Sequence, residues 1–115
     1  MAEHPGSNRI ATYDAFFLYY LREHGRPATR RWHYAGTTLV ILSAAAIIAT
    51  GRLAWLPLLL VAGYGPAWIS HFFIEKNRPA TFRYPLWSLM SDFRMYGLWL
   101  TGRLGMWLDR AGVPR

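Results

Sequence analysis

The sequence predicts an all-α protein: an integral membrane helical bundle of about four helices around a central antiparallel transmembrane hairpin. Three observations carry this expectation. Hydrophobic residues make up 53% and aromatics 17% of only 115 positions, more apolar surface than a soluble domain of this size hides. Two long stretches, residues 32–51 and 53–74, carry no Lys, Arg, Asp or Glu. No run alternates with the period of a strand.

The first helix is expected from about Thr12 to His24, with Thr12 as N-cap, Asp14 in the first turn, and Gly25 and Pro27 as stop signals. Tyr13, Phe17, Tyr20 and His24 share one stripe at helical spacing, and the aromatics on it read as core. The second helix is expected after Thr29, running to Thr50 and ending at Gly51. Its uncharged stretch of 20 residues matches a hydrocarbon core of ~30 Å at ~1.5 Å per residue. The third follows directly, from Arg52 to Glu75, with Pro57 in its first turn and Gly63, Gly65 and Pro66 in its middle, where a kink is expected. A connection of Gly51 and Arg52 permits only an antiparallel pair. A fourth helix is expected from Pro85 to about Asp109. Asp92, Arg94 and Arg103 interrupt it, and Trp87, Trp99 and Trp107 suit the membrane interface.

All of this reads as a single membrane domain over residues 1–115, with a polar tail at 1–10 and the transmembrane hairpin at 30–76. The tail lacks the apolar core of a signal peptide. Against 6 Asp+Glu stand 13 Lys+Arg, giving a net charge of +7. The bases lie singly or in pairs between apolar stretches, which suits anionic lipid headgroups and argues against nucleic acid. Five precede the hairpin, seven follow it, and only Arg52 sits at its tip; the positive-inside rule then puts both termini in the cytoplasm.

With no cysteine, disulfides, thiolate metal sites and cysteine nucleophiles are excluded. Of four histidines, His4 lies in the polar tail and reads as incidental. His33 and His71 stand at nearly equal distances before and after the hairpin tip, so antiparallel helices bring them to one depth. His24 ends the preceding helix on the same side. Glu75 follows His71 by four residues, on the same helical face, and Asp92 offers a second carboxylate. Imidazoles with carboxylates at membrane depth suit iron, zinc or manganese. A haem-binding membrane subunit, a zinc-dependent lipid hydrolase and a non-catalytic membrane protein are the competing readings of the same residues. Arg78, with Asn77 beside it, is read as receiving the acidic end of a lipid substrate, because a guanidinium matches a carboxylate bidentately.

The segment EHGRPATRRWHYAGT, the apolar hairpin after it, and then WISHFFIEKNRPATFRYPLWSLMSDF resemble the small membrane dioxygenases of 2-hydroxy fatty acid α-oxidation. The family has a fungal founder acting in breakdown of the phytosphingosine long-chain base, and bacterial relatives. The similarity runs from about Phe16 to Arg103. Its most specific parts are the His-x8-His spacing of His24 and His33 and the H-x3-E-x-N-R-P-A block from His71 to Ala80. The resemblance implies a non-haem Fe(II) enzyme in which His24, His33 and His71 bind iron and Glu75 either joins them or orients His71. It implies as substrates O2 and a 2-hydroxy fatty acid, whose C1–C2 bond is cleaved to leave an acid one carbon shorter. It also implies residence in the bacterial inner membrane, or in the endoplasmic reticulum of a eukaryote.

Overall fold

In the computed structural model, which describes residues 9–115, every regular element is helical: α1 Tyr13–Glu23, α2 Pro27–Thr50, α3 Leu56–Ile69, α4 Pro85–Leu100 and α5 Leu104–Ala111. His4 and nearly all of the expected polar tail lie outside the described residues. The described chain forms two compact units, residues 9–25 with Ala80–Arg115, and Arg26–Pro79.

The first unit is built on aromatics. Thr12 caps α1 as its sequence position predicts, its Oγ1 accepting the Ala15 N–H at 3.2 Å. Phe16, Phe17, Tyr20 and Leu21 are buried, so the aromatic stripe is core. Helices α4 and α5 complete that core with Met95, Leu104 and Leu108. Phe17 meets Trp107 edge-on at 5.6 Å, and the Arg94 guanidinium lies 4.0 Å from the Phe17 ring centre and 4.6 Å from that of Trp107. A guanidinium can lie in this core because aromatic faces replace part of its lost hydration.

The single fourth helix expected to Asp109 is two. Gly102, at φ 73°, takes the left-handed conformation after α4, and the Arg103 N–H reaches back to Leu98 O at 2.8 Å. That closes a terminus of the kind glycine favours. The consequence is that Arg103 becomes the residue preceding α5, and Trp107 belongs to α5 rather than to the helix that carries Trp87 and Trp99.

The second unit is the hairpin. Helix α2 begins three residues earlier than expected, because Pro27 occupies its first turn, where a missing N–H costs nothing. It ends at Gly51, left-handed at φ 70°. A 3-10 turn, Leu53–Trp55, leads into α3. Pro66 lies inside α3 and deprives the Ala62 carbonyl of its usual helical donor. Gly36 of α2 packs at that carbonyl: a Cβ there would stand 3.0 Å from Ala62 O. Past Ile69 the chain widens into a π turn, Ser70–Glu75, irregularity of the kind a mid-helix proline provokes.

Both arms, Pro27–Thr50 and Leu53–Glu75, are long and apolar enough to cross a membrane. Leu42, Ile48, Leu58, Leu60 and Val61 are more than half exposed, an outward apolar face that water does not favour.

Candidate metal centre

His33 and His71 meet inside the hairpin unit, with ring centres 5.1 Å apart and planes near perpendicular at 86°. This is the common depth that counting from the tip predicts. Both rings are buried, at 5% and 2% exposure.

Each ring is held through Nδ1. For His33, Nδ1–H donates to the Thr29 carbonyl at 3.0 Å, with the Ser70 Oγ a second acceptor at 3.3 Å. The Ser70 hydroxyl itself donates to Ala67 O at 2.6 Å, so its lone pairs face the imidazole. For His71 the acceptor is the Asn77 side-chain oxygen at 2.7 Å. Backbone geometry delivers that oxygen: Lys76 is left-handed at φ 64°, the only such non-glycine among the described residues. The N–H groups of Lys76 and Asn77 both turn back to His71 O. The π turn thereby folds Asn77 against the ring one turn behind it, and left-handed backbone of this kind at a non-glycine residue concentrates at functional sites.

In the first unit His24 follows the same rule. It caps the C-terminus of α1, where its backbone N–H turns to Leu21 O at 3.1 Å. Tyr20 O, which would have received that N–H in a continuing helix, takes the ring Nδ1–H at 2.6 Å instead. The Tyr20 ring stacks on the imidazole at 4.0 Å between centres. His24 is 1% exposed.

Three carbonyl-type acceptors on three Nδ1 atoms have one chemical consequence. A neutral imidazole with its proton on Nδ1 keeps its lone pair on Nε2. Histidines that ligate metals through one nitrogen are commonly oriented by a carbonyl or carboxylate on the other.

A family model described as 2-hydroxy-palmitic acid dioxygenase Mpo1-like matches residues 10–104. The chain belongs to the Mpo1-like family. Neither the curated proteins nor the solved structures contain a match.

In this Mpo1-like chain Glu75 is occupied at the start of α2. Its Oε2 accepts the Arg26 backbone N–H at 2.6 Å and the Thr29 hydroxyl at 2.7 Å. A carboxylate here satisfies the first-turn donors of α2 and meets the positive end of the helix dipole. Asp92 accepts the Tyr20 hydroxyl inside the first unit. Burial pushes its carboxyl up to about 7, against the opposing pull of that hydrogen bond. Asn77, read from sequence as a substrate contact, is the acceptor for His71. Arg78, just beyond it, is exposed.

Sequence reasoning missed Thr29 and Tyr20 as partners of histidines. A signal was present: each stands four residues before its histidine, where a helical carbonyl lies within reach of a ring Nδ1.

Proposed function

We propose that this Mpo1-like chain is an Fe(II)-dependent dioxygenase of fatty-acid α-oxidation, converting a 2-hydroxy fatty acid with O2 into the acid one carbon shorter. His24, His33 and His71 are its metal ligands, each through Nε2. The observation that carries the reading is the shared Nδ1 arrangement of three buried histidines in a family named for this reaction.

The donor set fits the ion. Neutral imidazoles suit divalent iron, with soft thiolates absent, and all three side chains are potential ligands. Iron, when bound, would supply the redox chemistry that O2 requires. The chain's own residues do the rest. Thr29, Asn77 and Tyr20 hold the rings in one tautomer, and burial of the histidines keeps bulk water away from them. Glu75 fixes the first turn of α2, and with it the carbonyl that orients His33; it acts as a positioning residue. Arg78 receives the substrate carboxylate at the headgroup level, with Asn77 alongside it.

The bilayer is the setting. The hairpin spans as part of a single membrane domain, with both chain termini on the cytoplasmic side, in the inner membrane of a bacterium or the endoplasmic reticulum of a eukaryote. Support comes from the exposed apolar faces of its two arms and from the basic residues gathered at its open end. The acyl tail of a substrate then stays among lipid tails while its polar end meets the histidines.

The test is oxygen uptake by anaerobically purified, iron-loaded protein on addition of 2-hydroxypalmitate, with the product identified by mass. Oxygen consumption with an acid one carbon shorter is expected. Turnover without oxygen, or stoichiometric zinc in active protein, would overturn the assignment in favour of a hydrolase.

A further inference from the structure

Tyr20 touches His24 twice. Its carbonyl takes the ring Nδ1–H, and its phenol ring lies against the imidazole, 29° from parallel. The far end of that phenol is held in turn, because the hydroxyl donates to Asp92 Oδ1 on α4. Tyr20 itself is 1% exposed and packs against Phe17 at 6.0 Å and 11°. The imidazole of His24 therefore rests on a ring that is gripped on one face by Phe17 and at its tip by Asp92.

We infer that Asp92 is a positioning residue, which acts through Tyr20 to set the plane and tautomer of the His24 ring. The inference rests on the metal-site reading only for its purpose, since the geometry of the clamp lies wholly within the first unit. A phenol pinned at both ends cannot swing about its side-chain torsions, and the stacked imidazole keeps its Nδ1 aimed at Tyr20 O. Without Asp92 the buried hydroxyl must seek another acceptor, and its ring turns with it. The carboxyl contributes an accepting oxygen to the Tyr20 hydroxyl, and burial raises its pKa against the pull of that bond. Charge at Asp92 is therefore not what the clamp needs; an oxygen acceptor is.

The test compares full-length wild type with Asp92→Ala, Tyr20→Phe and Asp92→Asn in detergent. Two readouts are taken: the nitrogen-15 shifts of the His24 ring in metal-free protein, assigned by difference from His24→Gln, and equilibrium Fe(II) binding. The wild type should show Nδ1–H alone. Asp92→Ala and Tyr20→Phe should show mixed or broadened tautomers and bind iron roughly 10-fold to 100-fold more weakly, the range expected for loss of an outer partner. Asp92→Asn, which still offers Oδ1, should restore both. Tyr20→Phe keeps the packing, so it decides the matter if Asp92→Ala does not fold. A wild-type ring signature in both Asp92→Ala and Tyr20→Phe would overturn the clamp. If wild type took up no iron, the proposed function would fail, while the ring shifts would still decide the clamp.

Discussion

The Thr29 hydroxyl donates to the Glu75 carboxylate at 2.7 Å, while the carbonyl of the same Thr29 accepts the ring proton of His33 at 3.0 Å. One residue thus ties the acidic group at the end of the π turn to an imidazole on α2. Removing Glu75 should consequently act on stability before it acts on chemistry. Glu75→Ala strands the Arg26 N–H and the Thr29 hydroxyl, and should lower stability by about 1–2 kcal/mol, the usual cost of a lost helix cap. Glu75→Gln retains an accepting oxygen and should lose less. Thermal unfolding followed by helicity orders the three proteins.

Asn77 offers His71 an acceptor that no other residue type supplies with the same reach, except aspartate. Asn77→Ala should weaken Fe(II) binding by roughly 10-fold to 100-fold, and Asn77→Asp should retain most of it. Equal affinity in Asn77→Ala and wild type would remove Asn77 from the site.

Two glycines in helices predict opposite outcomes. At Gly36 an added Cβ would press on Ala62 O at 3.0 Å and on Pro66 at 3.4 Å, and both are backbone or ring atoms that cannot yield. Gly36→Leu should destabilise the hairpin by about 1–3 kcal/mol, as overpacking does. At Gly97, inside α4, nothing lies within 4 Å, so Gly97→Ala should stabilise by about 0.5–1 kcal/mol through helix propensity. Melting temperatures measured side by side check the pair.

Asp92 gives the protein a pH dependence of known sign. Its folded carboxyl is raised to about 7 from an ordinary 3.8, so between those values the folded state binds the proton more tightly than the unfolded one. Stability should fall as pH rises from about 4 to about 7 and level off above. Asp92→Asn should flatten that slope, as denaturation midpoints across the range will show.

Much of this architecture is legible in sequence because it rests on counting. Thr12, Gly51 and Pro57 carry their local signals openly, and the nearly equal distances of His33 and His71 from the hairpin tip put them at one depth. Gly102 is a stop signal that the apolar residues continuing on both sides of it mask. The π turn carries no residue signature: Pro66 predicts irregularity, but the form it takes depends on packing against α2. The protein partners of Asn77 and Glu75 carry no sequence signature either: the left-handed Lys76 folds Asn77 onto His71, and the start of α2 offers Glu75 the Arg26 N–H and the Thr29 hydroxyl.

The most direct test of the account is the iron content of anaerobically purified protein, wild type beside His24→Gln, His33→Gln and His71→Gln. Iron stoichiometric with the wild-type chain is predicted, falling below about a tenth in every variant, since removing one of three ligands leaves too weak a site. Wild-type iron content in any one of the three variants, or wild type that takes up no iron, would contradict it.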